Sequence, residues 1–275
     1  MQEVNQMDGP SVAVQVPWSL DLRIAAVWGV LAGLSAVALM PYLMQLTPQV
    51  FEKLRIPLPA FVALQGIQAF ALLGLMSLLG LRMGHRVGLG SPLLQGWLDR
   101  NGSAPKLHTL KPLQAITLGV LGAVAVLGAS LLLDPMLPKP LHPVADPGAG
   151  QSALNGLLAS FYGGIAEELQ LRLFLMTLLV WVFAKVSRRP PHATVFWIAI
   201  VIAAVLFGAG HLPAAAQVWG LTDIVVFRTI ALNAIAALAF GWLYWKRGIE
   251  MAMLGHFSAD IVLHVIAPVL SVSPA

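Results

Sequence analysis

The sequence predicts an all-α membrane protein, a polytopic transmembrane helix bundle of about seven or eight spans. Three observations carry this. Charged residues make up 10% of the 275 residues and hydrophobic ones 58%, whereas an ordinary soluble domain is about 25% charged. The mean hydropathy is +0.82. The apolar residues also cluster into runs, several of which reach the roughly 20 residues that a bilayer-spanning helix needs.

The N-terminal stretch MQEVNQMDGPSVAVQVPWS is polar and lacks a basic region followed by a cleavage site, so no removable signal peptide is expected. Apolar segments then cover about 22–46, 58–81, 113–133, 151–185, 192–212, 224–245 and 250–270. The fourth exceeds what a bilayer requires, so it is steeply tilted, broken, or two helices joined by a tight turn. Within the polar connection 82–112, LLQGWLD suits a short interfacial helix with Trp97 at headgroup level. The connection 134–150 is rich in proline and reads as an extended loop. Trp242, Tyr244 and Trp245 beside Lys246 read as an interfacial belt, and Arg228 as a side chain snorkelling to the outer surface.

Charge is unevenly distributed. Residues 82–112 carry five Lys and Arg, 185–189 carry Lys185, Arg188 and Arg189, and 246–247 carry Lys246 and Arg247. The alternate connections 134–150 and 213–223 carry only Lys139. With seven spans this parity puts the N-terminus in the cytoplasm and the C-terminus outside. A net charge of +4 spread this way reports orientation, not nucleic-acid binding. No cysteine is present, which removes disulfides, a thiol nucleophile and thiolate metal ligands.

Function is sought in the ionisable residues at membrane depth, each of which costs roughly 2.5–3.5 kcal/mol on insertion scales. The run FYGGIAEELQLR holds three within six residues: Glu167, Glu168 and Arg172. Glu168 and Arg172 are four apart and share a helix face, while Glu167 points about 100° away. Phe207 and His211 share a face of the fifth segment. His256, Asp260 and His264 share a face of the seventh, where Gly255 and Ala259 permit close helix approach. Taken singly, each has a structural reading: a buried ion pair for Glu168 and Arg172, a hydrogen-bonded packing residue for His211, interhelical glue for His256 and Asp260.

The ordered set Glu167-Glu168-Leu-Gln-Leu-Arg172, Phe207-Gly-Ala-Gly-His211 and His256-Phe-Ser-Ala-Asp260 resembles the CAAX prenyl protease and bacteriocin-processing (CPBP, or ABI) family of intramembrane endopeptidases. GWLYWKRGIEMAMLGH also looks like that family's lead-in to the third motif. The resemblance covers roughly 113–267, which sets a protease core at 113–270 and leaves 1–112 as a polar tail, two membrane helices and a basic cytoplasmic connection. It departs from the family at Asp260, where asparagine is usual.

The residue chemistry is compatible. Hydrolysis needs a nucleophile, a base and oxyanion donors. With no cysteine and no recognisable serine elbow, water activated by Glu167 is expected. His211 shares that water and returns its proton to the leaving amine, and the resemblance implies the same roles. His256 and Asp260 face the oxyanion, Asp260 either as a neutral donor or as a carboxylate orienting His256. Glu168, Arg172 and Phe207 are supporting residues. The expected substrate is a peptide or protein segment in or at the membrane, with lipid as the surrounding partner. No cofactor is expected, although His211, His256, His264 and Glu167 supply enough ligands for a zinc-dependent alternative that lacks the H-E-x-x-H spacing. A transporter using the same acids as a proton relay, and a non-proteolytic immunity or scaffold role, stay open. The basic loops and lack of a targeting signal suggest a bacterial inner membrane.

Depth presents a conflict. At about 1.5 Å per residue, Glu167 and His211 lie about 30 Å from the basic loops and His256 only about 13 Å beyond Arg247. Straight helices of equal tilt would keep them apart, so a break in the fourth segment at Gly163–Gly164 is expected.

Overall fold

The computed structural model describes residues 16–99, 105–142 and 147–270. Most of the polar tail, Arg100 of the basic connection and part of the proline-rich loop lie outside these described residues. Seven helices within them are long and apolar enough to cross a membrane, and no strand is formed among them. The protein is an integral membrane helix bundle.

The spans are α1 (Trp18–Leu46), α2 (Leu58–Gly84), α4 (Pro112–Leu133), α5 (Ala149–Ser187), α6 (Ala193–Gly210) continued by α7 (Leu212–Trp219), α8 (Asp223–Arg247) and α9 (Ile249–Leu270). The short α3 (Pro92–Leu98) forms where an interfacial helix is expected, and Trp97 is 64% exposed. Proline stands in the first turn of α2, α3, α4 and α7, where its missing N–H has no helical partner to lose. Helices α1 and α2 pack through glycine: a Cβ on Gly33 would come within 2.9 Å of the Gly66 carbonyl oxygen, and one on Gly29 within 3.0 Å of that of Phe70. Small residues let two backbones meet where lipid offers no hydrophobic drive.

The expected break in the fourth segment does not occur. Helix α5 runs unbroken for 39 residues, so there is no hidden eighth span among the described residues. It is instead wound as π-helix over Tyr162–Glu167 and Leu169–Met176. Gly164 serves packing rather than bending: a Cβ there would lie 3.1 Å from that of Phe257 and 3.2 Å from the Met253 carbonyl oxygen, both on α9. With α5 continuous, the offset in depth has to arise from where the other helices begin and how they tilt. Helix α9 begins docked on the connection between α2 and α3, the Ile249 N–H donating to the Gly90 carbonyl at 3.1 Å.

Three local expectations are corrected. Residues 212–219 are helical, because Pro213 ends α6 near His211 and then starts α7. Tyr244 is no belt residue: it is 1% exposed, and its hydroxyl bonds Thr177 Oγ1 at 2.6 Å. Trp245 stacks on Phe196 and carries Lys246 over its ring, as an interfacial aromatic does. Arg228 does not simply snorkel; its Nε donates to Asp134 Oδ1 at 2.9 Å.

Candidate active site

Helices α5, α6 and α9 bring all seven sequence-selected residues together. Helix α6 supplies Phe207 in its last turn, and His211 sits at the corner before α7. The His211 Nδ1 lies 2.9 Å from the Phe207 carbonyl oxygen. A carbonyl only accepts, so Nδ1 carries the hydrogen and a neutral ring presents a bare Nε2. That Nε2 is 3.8 Å from Glu167 Oε1. The other carboxylate oxygen, Oε2, is 3.7 Å from His256 Nε2. Glu167 therefore sits between two imidazoles.

Its neighbour Glu168 faces a different set of groups. Oε1 lies 2.8 Å from Arg172 Nη1 and 2.8 Å from His256 Nδ1. The guanidinium is held over the rings of Phe207 and Phe240 at 5.1 and 5.5 Å, and its Nη2 donates to the Ala237 carbonyl at 3.2 Å. The ion pair expected from i,i+4 spacing is present, but Glu168 also fixes the imidazole of the third motif. That contact crosses from α5 to α9, and nothing in the spacing of either segment announces it. Phe240 of α8 is the other unexpected member. It stacks on His256 with centroids 4.4 Å apart, while Phe207 meets the same ring edge-on. With Phe240 stacked on its ring, Phe207 beside it and Nδ1 held by Glu168, His256 has only Nε2 to present to the cavity.

Asp260 completes the face. Its Oδ1 is 3.7 Å from His256 Nε2 and 4.0 Å from His264 Nε2. Gly163 makes room for it, since a Cβ there would collide with Asp260 Oδ2. These groups line a cavity of about 700 Å³, within the size range of small-ligand sites. Exposure separates the two glutamates. The Glu167 side chain is 20% exposed and that of His211 37%, whereas Glu168 is fully buried. The cavity wall also includes Leu39, Tyr42 and Leu43 of α1, with Tyr42 edge-on to His264. No polar pattern in the first segment points to this. Among the described residues, no three His, Asp or Glu side chains are grouped so as to hold a metal ion.

Carboxylates and imidazoles thus converge on one cavity inside a helical membrane bundle. Residues 149–262 match the family model described as type II CAAX prenyl endopeptidase Rce1-like, within the CPBP/CAAX protease family that the three motifs resemble. The match covers less than half of the chain. It begins with α5 and ends before His264, so α1, α2 and α4 lie outside it. Neither a curated protein nor a solved structure matches the chain.

Proposed function

We propose that the protein is an intramembrane endopeptidase of the CAAX-protease type that cleaves a peptide bond in a membrane-associated or C-terminal segment using glutamate- and histidine-activated water. One observation carries this reading: Glu167 lies within 4 Å of both His211 Nε2 and His256 Nε2 at the wall of the cavity. A separation of 3.8 Å between two acceptors suits one water donating a hydrogen bond to each. Glu167 takes a proton from that water as its oxygen bonds the carbonyl carbon. His256, oriented through Nδ1 by Glu168, faces the oxyanion through Nε2. The proton passes through His211 to the leaving nitrogen as the C–N bond breaks. Asp260 orients His256 or donates to the oxyanion directly.

The test compares peptides released in membranes holding wild-type protein with those holding Glu167→Gln. Products that appear only with the wild type support the reading, and identical profiles would remove it. Purified protein should keep its activity through extensive treatment with a zinc chelator. Loss on chelation with recovery on zinc alone would move the mechanism to metal-assisted hydrolysis. Proton-coupled uptake into vesicles without peptide cleavage would instead favour a transporter.

We further propose a bacterial inner-membrane location with the N-terminus in the cytoplasm, supported by the alternation of basic connections. The chain has no cysteine, so single cysteines introduced at Arg188 and Leu141 report sidedness directly. Labelling of the Leu141 position from the cytoplasm would reverse the orientation.

A further inference from the structure

At the opposite end of α6 from His211 lies a second cleft of about 660 Å³, bounded by the turn after α2 and the loop joining α5 to α6. Its lining includes Arg86, Lys185, Arg188 and Arg189 and no carboxylate. Elsewhere in the bundle Arg82 pairs with Asp21, Arg172 with Glu168 and Arg228 with Asp134. In this cleft, by contrast, Arg86, Arg188 and Arg189 have no ion pair among the described residues, and Lys185 Nζ rests over the Trp181 ring at 4.8 Å. All four cations are exposed. Four uncompensated positive charges around one concavity make a field that calls for an anion.

Two features separate this from the scatter of basic residues that fixes orientation. Arg188 closes α5 in the left-handed region, with φ of 52°. That position ordinarily takes glycine, yet a cation lining the cleft stands there. Pro190 and Pro191 follow at once, fixing φ and stiffening the loop that carries Arg188 and Arg189. The cleft also lies where α2, α5 and α6 end or begin, and its inner wall is apolar, formed in part by Trp181 and Phe196. Cations at the rim over an apolar wall at the end of spanning helices match a phospholipid, with its charge outermost and its chains along the bundle.

We propose that this cleft binds an anionic phospholipid, its phosphate held by Arg86, Lys185, Arg188 and Arg189 and its glycerol–acyl portion laid against Trp181 and Phe196. The site is independent of the proteolytic reading and is tested without a substrate. Purified full-length protein in neutral detergent is titrated with mixed micelles containing phosphatidylglycerol or phosphatidylcholine. Thermal unfolding and native mass spectrometry of retained lipid are the readouts. Phosphatidylglycerol should raise the melting temperature and remain bound, and phosphatidylcholine should do neither. Neutralising each cation should weaken the apparent affinity about fivefold. Arg188→Gly is the informative variant, because glycine suits that backbone. It should unfold no earlier than wild type without lipid, yet respond less to phosphatidylglycerol. Arg228→Gln, at the other end of the bundle, should keep the full response. Equal responses to the two lipids, or an undiminished response in Arg86→Gln/Arg188→Gly/Arg189→Gln, would overturn the proposal. So would inorganic phosphate reproducing the whole shift, since the ligand would then be a soluble anion.

Discussion

Glu167 and Glu168 are neighbours in sequence and differ in what they touch. Glu167 is partly exposed to the cavity and lies between His211 and His256; Glu168 is sealed against Arg172 and His256. Glu167→Gln should therefore lower cleavage about 10²–10⁴-fold, the range of general-base catalysis, while thermal stability stays near wild type. Glu168→Gln should act on stability, because it leaves the Arg172 guanidinium buried without its counter-charge at a cost of about 3–5 kcal/mol. Thermal unfolding of both variants in one detergent separates the roles. A stable but inactive Glu168→Gln beside an active Glu167→Gln would exchange them. Asp260→Asn should remain active, since an amide at that place can donate to an oxyanion directly. Complete loss of cleavage in that variant would show that the carboxylate does something neither account describes. The four cavity residues were legible because polar side chains stand out in apolar runs and their order along three segments survives any arrangement of helices. The Glu168–His256 contact was not, because it depends on the relative depth of two helices that no local pattern encodes.

At the scale of the element, seven spans and a short interfacial helix were legible from run length alone. The winding of α5 was not. A bend at Gly163–Gly164 would make the glycines a weakness in the helix, whereas the structure uses both to let α9 come close. A π-wound turn keeps the helix continuous while rotating the residues beyond it, and such turns are frequent at functional sites. Glu167 ends one π-wound stretch and Glu168 separates it from the next, so the winding helps direct the two acids to different neighbours. This predicts a sharp contrast between two glycine substitutions. Gly163→Ala places a methyl group against Asp260 Oδ2 and His256 Nε2, so the Asp260 carboxylate must leave its place at the site and cleavage should fall about tenfold or more. Gly128→Ala, in α4 where nothing lies within 4 Å of the added Cβ, should be neutral or stabilising by up to about 1 kcal/mol. Cleavage and unfolding measured on both variants check this. A fully active Gly163→Ala would mean that the position of the Asp260 carboxylate does not matter to cleavage.

At the scale of the whole molecule, the N-terminal helix α1 is built into the cavity rather than appended to it. Leu39, Tyr42 and Leu43 of α1 line its wall. Nearer the start of α1, the Trp28 indole N–H donates to Ser91 Oγ at 3.2 Å, and that hydroxyl donates to Glu250 Oε1 at 2.6 Å. The same oxygen accepts the N–H groups of Leu93 and Leu94 at 3.0 and 3.1 Å. Glu250 stands in the first turn of α9, six residues before His256, about 9 Å along the helix. Three donors converging on one buried carboxylate oxygen thus tie α1 and α3 to the start of the helix that carries His256 and Asp260. Removing that acceptor should be costly, since each donor left buried and unsatisfied costs about 1–3 kcal/mol. Glu250→Ala should accordingly lower the melting temperature and slow cleavage even at temperatures where it stays folded, because α9 loses its fixed starting point. Glu250→Gln keeps an oxygen acceptor and should recover most of both. Single-temperature cleavage rates and unfolding curves for the two variants provide the check. An alanine variant that unfolds with wild type, or one that unfolds early yet cleaves at the full rate while folded, would show that the clasp does not set the position of the helix.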